Sequence, residues 1–194
     1  MMPTSYAFRL AGTKFSGTPW ALLFLCCALS ACTACSDQSR TVEPKGKSPQ
    51  QLARENDFER NRNRVRAESE RIEAYIERKG WDMQATQTGL RYQVYQAGPE
   101  GPVGSKGDVI SLAYDIVLMD GTKCYSATAD DPRKFTVGFD HVESGIHEVV
   151  TYLRAGDKAR VILPSHLAFG LTGDNDKIPP MASVVYHLHV LAIN

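Results

Sequence analysis

Imidazole can ligate a metal or move a proton, so the histidines are the first side chains to weigh for chemistry. His187 and His189 stand two apart in an alternating apolar segment and so share one face of a strand. A zinc site needs three or four donors in a tetrahedral array. His141, His147 and His166 have no ligand spacing that would complete one, so no metal and no other cofactor is expected. Cys124 has no histidine beside it in sequence, and a buried apolar thiol is expected rather than a nucleophile. No Ser-His-Asp arrangement emerges either. What remains is an aromatic and aliphatic run, Leu163-Pro164-Ser165-His166-Leu167-Ala168-Phe169-Gly170, followed by Ile178-Pro179-Pro180. Such residues can enclose a ligand and exclude water, but they supply no acid, base or nucleophile.

The pattern of apolar positions indicates the elements that must hold these residues. Leu90 to Gln96 reads as a strand ended by Gly98-Pro99. Asp108 to Met119 places Ile110, Leu112, Tyr114, Ile116 and Leu118 on one face at period two, and Asp120-Gly121 is a hairpin turn into Thr122 to Ser126. Lys134 to Val137, Lys158 to Leu163 and Ser183 to Ile193 are further strands. The last puts Val184, Tyr186, Leu188 and Val190 on one face, with His187 and His189 opposite. Gly145 to Leu153 is the one helix candidate among them, with Ile146, Val149, Val150 and Leu153 at helical spacing. The fold class is therefore α+β, a curved antiparallel sheet wrapped around one short helix.

A long charged helix precedes that domain. Ser48-Pro49 is a helix start, Gln50 to Lys79 contains no Gly or Pro, and Gly80 is placed to cap its end. Phe58, Val65 and Ile72 recur every seven residues, joined by Tyr75 and Ile76. Two readings stay open. The helix is a solvated arm of a monomer that packs only its last turn and Trp81 on the domain, or the thin seam pairs two copies. Arg62, Arg64 and Arg66 are flanked by Glu59, Glu68 and Glu70, which reads as a mixed-charge solvated face.

Composition bounds the rest. The chain has 194 residues, 43% of them apolar, with 22 basic and 22 acidic side chains, enough for one core and without the excess charge of a nucleic-acid binder. Residues 1–31 read as an export signal: Arg9 and Lys14, then an apolar run from Trp20 to Leu29 that is shorter than the roughly 20 residues a bilayer span needs. Leu29-Ser30-Ala31-Cys32 resembles a bacterial lipobox, which implies acylation of Cys32 and attachment to a membrane of the cell envelope, on its periplasmic side. The expected layout is a signal over 1–31, a flexible tether over 32–48, the helical arm over 49–80 and one domain over 88–194.

From Thr88 to Asn194 a series of landmarks resembles the FKBP-type peptidyl-prolyl isomerases. They are Gly89-Leu90-Arg91-Tyr92, Gly107-Asp108-Val109, Asp120-Gly121-Thr122, Phe135-Thr136-Val137-Gly138, Gly156-Asp157-Lys158-Ala159-Arg160, the 163–170 run and Ile178-Pro179-Pro180. With the lipobox and charged helix, the chain looks most like lipoprotein FKBPs linked to gliding motility in some bacteria. The resemblance implies an FKBP-like fold and isomerisation of X-Pro bonds in proline-containing polypeptide clients. It places Tyr114, Phe135, Val142, Phe169, Ile178 and Tyr186 on the pocket wall, with the Glu143 N–H as donor to substrate. Each of these side chains also fits an ordinary core position.

The chain departs from the family pattern at four places. Ile146 stands where a Trp floor is usual, Cys124-Tyr125 where Phe-Asp follows the hairpin, Glu143 where an Ile forms the rim, and Phe169 where a phenol would bond a carbonyl. Cys124, Tyr125, Ile146 and Ile178 are accordingly expected at the pocket periphery, and the expected isomerase is a weakened one. The alternative is a non-catalytic FKBP-like module that holds a partner in an envelope or motility assembly.

Overall fold

The computed structural model describes residues 47–194. The expected export signal, the expected lipidation site at Cys32 and nearly all of the expected tether lie outside the described residues.

The chain enters through a helix, α1 (Pro49–Lys79), whose start is closed by reciprocal bonds. The Gln51 N–H donates to Ser48 Oγ and the Ser48 N–H to Gln51 Oε1, with Pro49 in the first turn where its missing N–H costs nothing. At the other end Gly80 takes the left-handed conformation, φ 63°, and its N–H and that of Trp81 satisfy the carbonyls of Glu77 and Ile76. The exposed pairs Arg62–Glu59 and Arg66–Glu70, at 2.7 and 2.9 Å, add little each.

Seven strands follow, every pairing antiparallel: β1 (Gln84–Ala85), β2 (Arg91–Gln96), β3 (Val109–Leu118), β4 (Lys123–Ala127), β5 (Arg133–Thr136), β6 (Lys158–Leu163) and β7 (Val184–Ile193). They run in the order β1-β2-β6-β7-β3-β4, with β5 pairing β3 alongside. The short helix α2 (Ser144–Val149) continues as a 3-10 turn over Val150–Tyr152. Its Ile146, Val149, Val150 and Leu153 bury against Leu112, Ile116, Val161, Tyr186 and Leu188 on the inner face of the sheet. Helix and sheet approach so closely that a Cβ on Gly145 would sit 2.5 Å from the Leu163 side chain, which would have to move to admit it. This is the α+β architecture expected, a sheet curved around one short helix. β1 was not expected, being two residues long with neither side chain buried.

The outer face of the sheet corrects the reading of α1. Ile72, Tyr75 and Ile76 are buried against Ile162 and Val185, with Trp81, Met83, Val117 and Met119 around them. Contact therefore begins at Glu68, about three turns before the helix ends, rather than in the last turn alone. Glu68 is not on a solvated face: it is 4% exposed. Glu73 adds an ion pair at 2.7 Å to Arg91, which is largely covered. α1 covers the outer face around Ile162 and Val185, and it is part of the folded body from Glu68 onward. Upstream, Leu52, Phe58 and Val65 are exposed. No helix among the described residues is long and apolar enough to cross a membrane.

Candidate functional site

Between the inner face of the sheet and the start of α2 lies a cup with about 290 Å³ of free space, mouth included. Period-two alternation on the strands brings its walls together. Tyr114 and Leu112 come from β3, Phe135 and Arg133 from β5 and Tyr186 from β7, while Val142, Glu143 and Ile146 come from α2 and its approach. The register sets these neighbours: Arg133 lies opposite Leu112, and Tyr186 opposite Ile116. The Tyr114 and Tyr186 rings stand 5.8 Å apart, tilted by 59°. Ile146, 3% exposed, occupies the floor.

Glu143 is the residue just ahead of α2. Its carbonyl accepts from Ile146 and His147, whereas its own N–H meets no acceptor among the described residues and is left free for a ligand. The approach to it is held by His147. Gly138 N–H donates to Nδ1 at 3.0 Å and Nε2 lies 3.0 Å from the Asp140 carbonyl, which puts the proton on Nε2. Burial, followed by the negative charge of Glu143, pushes the Tyr186 phenol well above its ordinary pKa, so the cup holds a neutral phenol at physiological pH.

A second opening borders the cup through Tyr114, Arg133 and Glu143 and adds Ile116, Tyr125, Ser126, Phe169 and Asp174. Here Tyr125 donates its phenol proton to Asp174 at 2.5 Å and lies 3.1 Å from Asp176. The other Asp174 oxygen accepts the N–H groups of Asp176 and Ile178, at 2.9 and 2.8 Å. Desolvation opposes ionisation of Asp174, but these bonds outweigh it and hold its carboxyl below the usual range, while they raise the Tyr125 phenol.

Tyr114, Phe135, Val142, Glu143, Ile146 and Tyr186 thus meet in one cup, and Phe169 and Tyr125 stand at its second opening. Cys124 and Ile178 line neither; they are packed in the core beneath, 4% and 2% exposed. The Cys124 thiol, its pKa raised by burial, is poorly set up as a nucleophile. His187 and His189 share the outer face, and among the described residues no cluster of three potential metal donors forms.

A family profile described as FKBP-type peptidyl-prolyl cis-trans isomerase matches residues 101–191. FK506-binding protein 1A of Emericella nidulans is 32% identical over 108 residues, which cover 55% of this chain and 99% of that protein. The chain belongs to the FKBP-type peptidyl-prolyl isomerase family. The probable FkpA of Neisseria meningitidis is 30% identical over 137 residues, covering 70% of this chain and 50% of that one. A 22 kDa FKBP-type isomerase of Escherichia coli is 32% identical over 110 residues, covering 56% and 52%. Among solved structures, the crystal structure of FkpA from Escherichia coli superposes with a TM-score of 0.55 at 25% identity, over 77% of this chain and 74% of that one. The chain spans about half the length of the bacterial relatives it matches in sequence.

The sequence does not mark two residues of the FKBP cup as wall. Arg133 lines both openings, and its place two residues before Phe135 puts the two side chains on the same strand face. Beginning the strand at Lys134 hid it. Leu112 was read as an ordinary inward residue of β3, and no local signal separates wall from core there.

Proposed function

We propose that this FKBP chain isomerises X-Pro peptide bonds of exported polypeptides while a lipid on Cys32 holds it to a bacterial envelope membrane. The carrying observation is the aromatic cup of Tyr114, Phe135 and Tyr186 with the free Glu143 N–H at its edge. Rotation about the peptide bond is opposed by about 18–20 kcal/mol of lost amide resonance, and every 1.36 kcal/mol removed gives about tenfold in rate. A twisted amide is less polar than a planar one. A dry cup around the proline ring therefore favours the twisted form, and an N–H fixed on a flanking carbonyl orients it. Neither step transfers a proton, which accords with a Tyr186 phenol that burial keeps neutral.

Activity is weakened relative to a cup with a Trp floor, because Ile146 offers less flat apolar area and Phe169 has no hydroxyl to donate. The protein works as a monomer, with clients defined by an X-Pro bond in an extended segment. Exchange NMR or a protease-coupled assay on an X-Pro peptide tests the reading. A rate above the uncatalysed background, lost in Tyr114→Ala or Phe135→Ala, is expected. A folded wild type without such a rate is instead a binding module.

A further inference from the structure

Glu68 is the most deeply buried carboxylate of the helical arm, and the cup does not use it directly. Its Oε1 accepts the Ser165 N–H at 2.7 Å and the Ser183 hydroxyl at 2.7 Å, and its Oε2 accepts the Ser165 hydroxyl at 3.1 Å. Both serines are themselves buried. They are the two ends of the long loop between β6 and β7, so one side chain from α1 ties that loop at both feet.

The tie leads to the site. Ser165, whose N–H is spent on Glu68, presents its carbonyl to the N–H groups of Ala168 and Gly170, at 3.1 and 2.7 Å, which closes the turn around Phe169. The same turn meets α2, where Ser144 Oγ lies 3.4 Å from the Leu167 carbonyl, one residue from Glu143. We infer that Glu68 is a positioning residue of the isomerase site: the docked arm, through Glu68 and Ser165, sets the places of Phe169 and Glu143. The arm is then a working part of the catalytic module as well as a spacer. A buried carboxylate accepting three hydrogen bonds is costly to assemble unless its geometry is maintained, which suits it to fixing a loop in one arrangement.

Glutamine can keep this geometry. Its Oε1 accepts from the Ser165 N–H and the Ser183 hydroxyl, and its Nε2 donates to Ser165 Oγ. Alanine can keep none of it. The test compares wild type, Glu68→Ala, Glu68→Gln and Ser183→Ala in the full chain by two readouts. One is amide hydrogen exchange at Ala168 and Gly170; the other is kcat/KM on an X-Pro peptide, taken well below each variant's melting temperature. Losing a buried hydrogen bond to a charged group corresponds to about tenfold or more. The alanine variant is therefore expected to exchange at Gly170 about tenfold faster and to lose kcat/KM comparably. The glutamine variant should stay near wild type in both, with Ser183→Ala between them.

The kinetic arm rests on the isomerase reading, whereas the exchange arm does not. A wild type without turnover in which Glu68→Ala still frees Gly170 sinks that reading and keeps the clamp. Should Glu68→Ala fail to fold, Ser183→Ala carries the same comparison. Wild-type exchange and kcat/KM in Glu68→Ala, or in Ser183→Ala where it stands in, overturn the inference, as does a Glu68→Gln variant as impaired as Glu68→Ala.

Discussion

Ile146 decides how good this cup can be. It sits on the floor between aromatic walls, and a branched aliphatic side chain covers less of a proline ring than an indole face. Ile146→Trp together with Phe169→Tyr is expected to raise kcat/KM above wild type, and Tyr114→Ala or Phe135→Ala to lower it. Overpacking by the indole costs about 1–3 kcal/mol, so thermal unfolding must be recorded with the kinetics. On the outer face, burial and then the Arg160 guanidinium hold His187 below its ordinary value of 6.5. Below that pH the unfolded chain binds a proton that the folded chain resists, so His187 contributes stability that is full above pH 6.5 and lost as the pH falls. Denaturant titrations across that range should show the decline, and His187→Gln should flatten it; an unchanged slope refutes the assignment. Alternation made the inward faces of β3 and β7 legible, Tyr114 and Tyr186 among them, but only the family resemblance set wall apart from core. Glu68 was not, since a glutamate among arginines on a helix looks solvated until the sheet it docks on is known.

At the scale of elements, α1 changes character along its length. Its first part carries exposed Leu52, Phe58 and Val65, while Ile72 is 1% exposed against the sheet. Ile72→Ala is therefore expected to cost about 2–5 kcal/mol, against no more than about 0.5 kcal/mol for Phe58→Ala or Val65→Ala, by denaturant unfolding of the full chain. A truncated chain beginning at Thr88 should melt well below the full chain, since Ile162 and Val185 would face water and Ser165 and Ser183 would lose Glu68. Equal melting would mean that the docking stabilises nothing. Both ends of α1 were legible from local chemistry, Ser48-Pro49 at the start and Gly80 at the finish. The docking surface had a fainter signature. Val161-Ile162-Leu163 and Val184-Val185-Tyr186 are continuous apolar runs rather than alternating ones, the pattern of strands covered on both faces. That pattern shows that a cover exists without naming it, so the helix could be placed on the sheet only from the assembled structure.

For the whole molecule the question is what the arm would do together with the proposed lipid on Cys32. The first part of α1, residues 49–67, is exposed and about 28 Å long at 1.5 Å per residue. A helix of that length with mixed charge is stiffer than a Gly/Ser chain and holds its two ends apart. Anchoring at Cys32 would then present the cup to segments emerging near a membrane while keeping it clear of the lipid surface. One acyl chain binds a membrane only marginally, and each buried CH₂ contributes about 0.8 kcal/mol, so durable attachment requires more than one chain on the new terminus. Fractionation of cells expressing the full chain is expected to recover it with membranes. Cys32→Ala should move it to the soluble fraction without altering kcat/KM on a soluble X-Pro peptide, because the cup lies wholly within residues 112–186. Cys35→Ala, which removes a thiol three positions on, should change neither property. Membrane recovery of Cys32→Ala equal to wild type refutes the anchor, whereas loss of attachment together with activity would mean that the lipid contributes to the fold as well as to location.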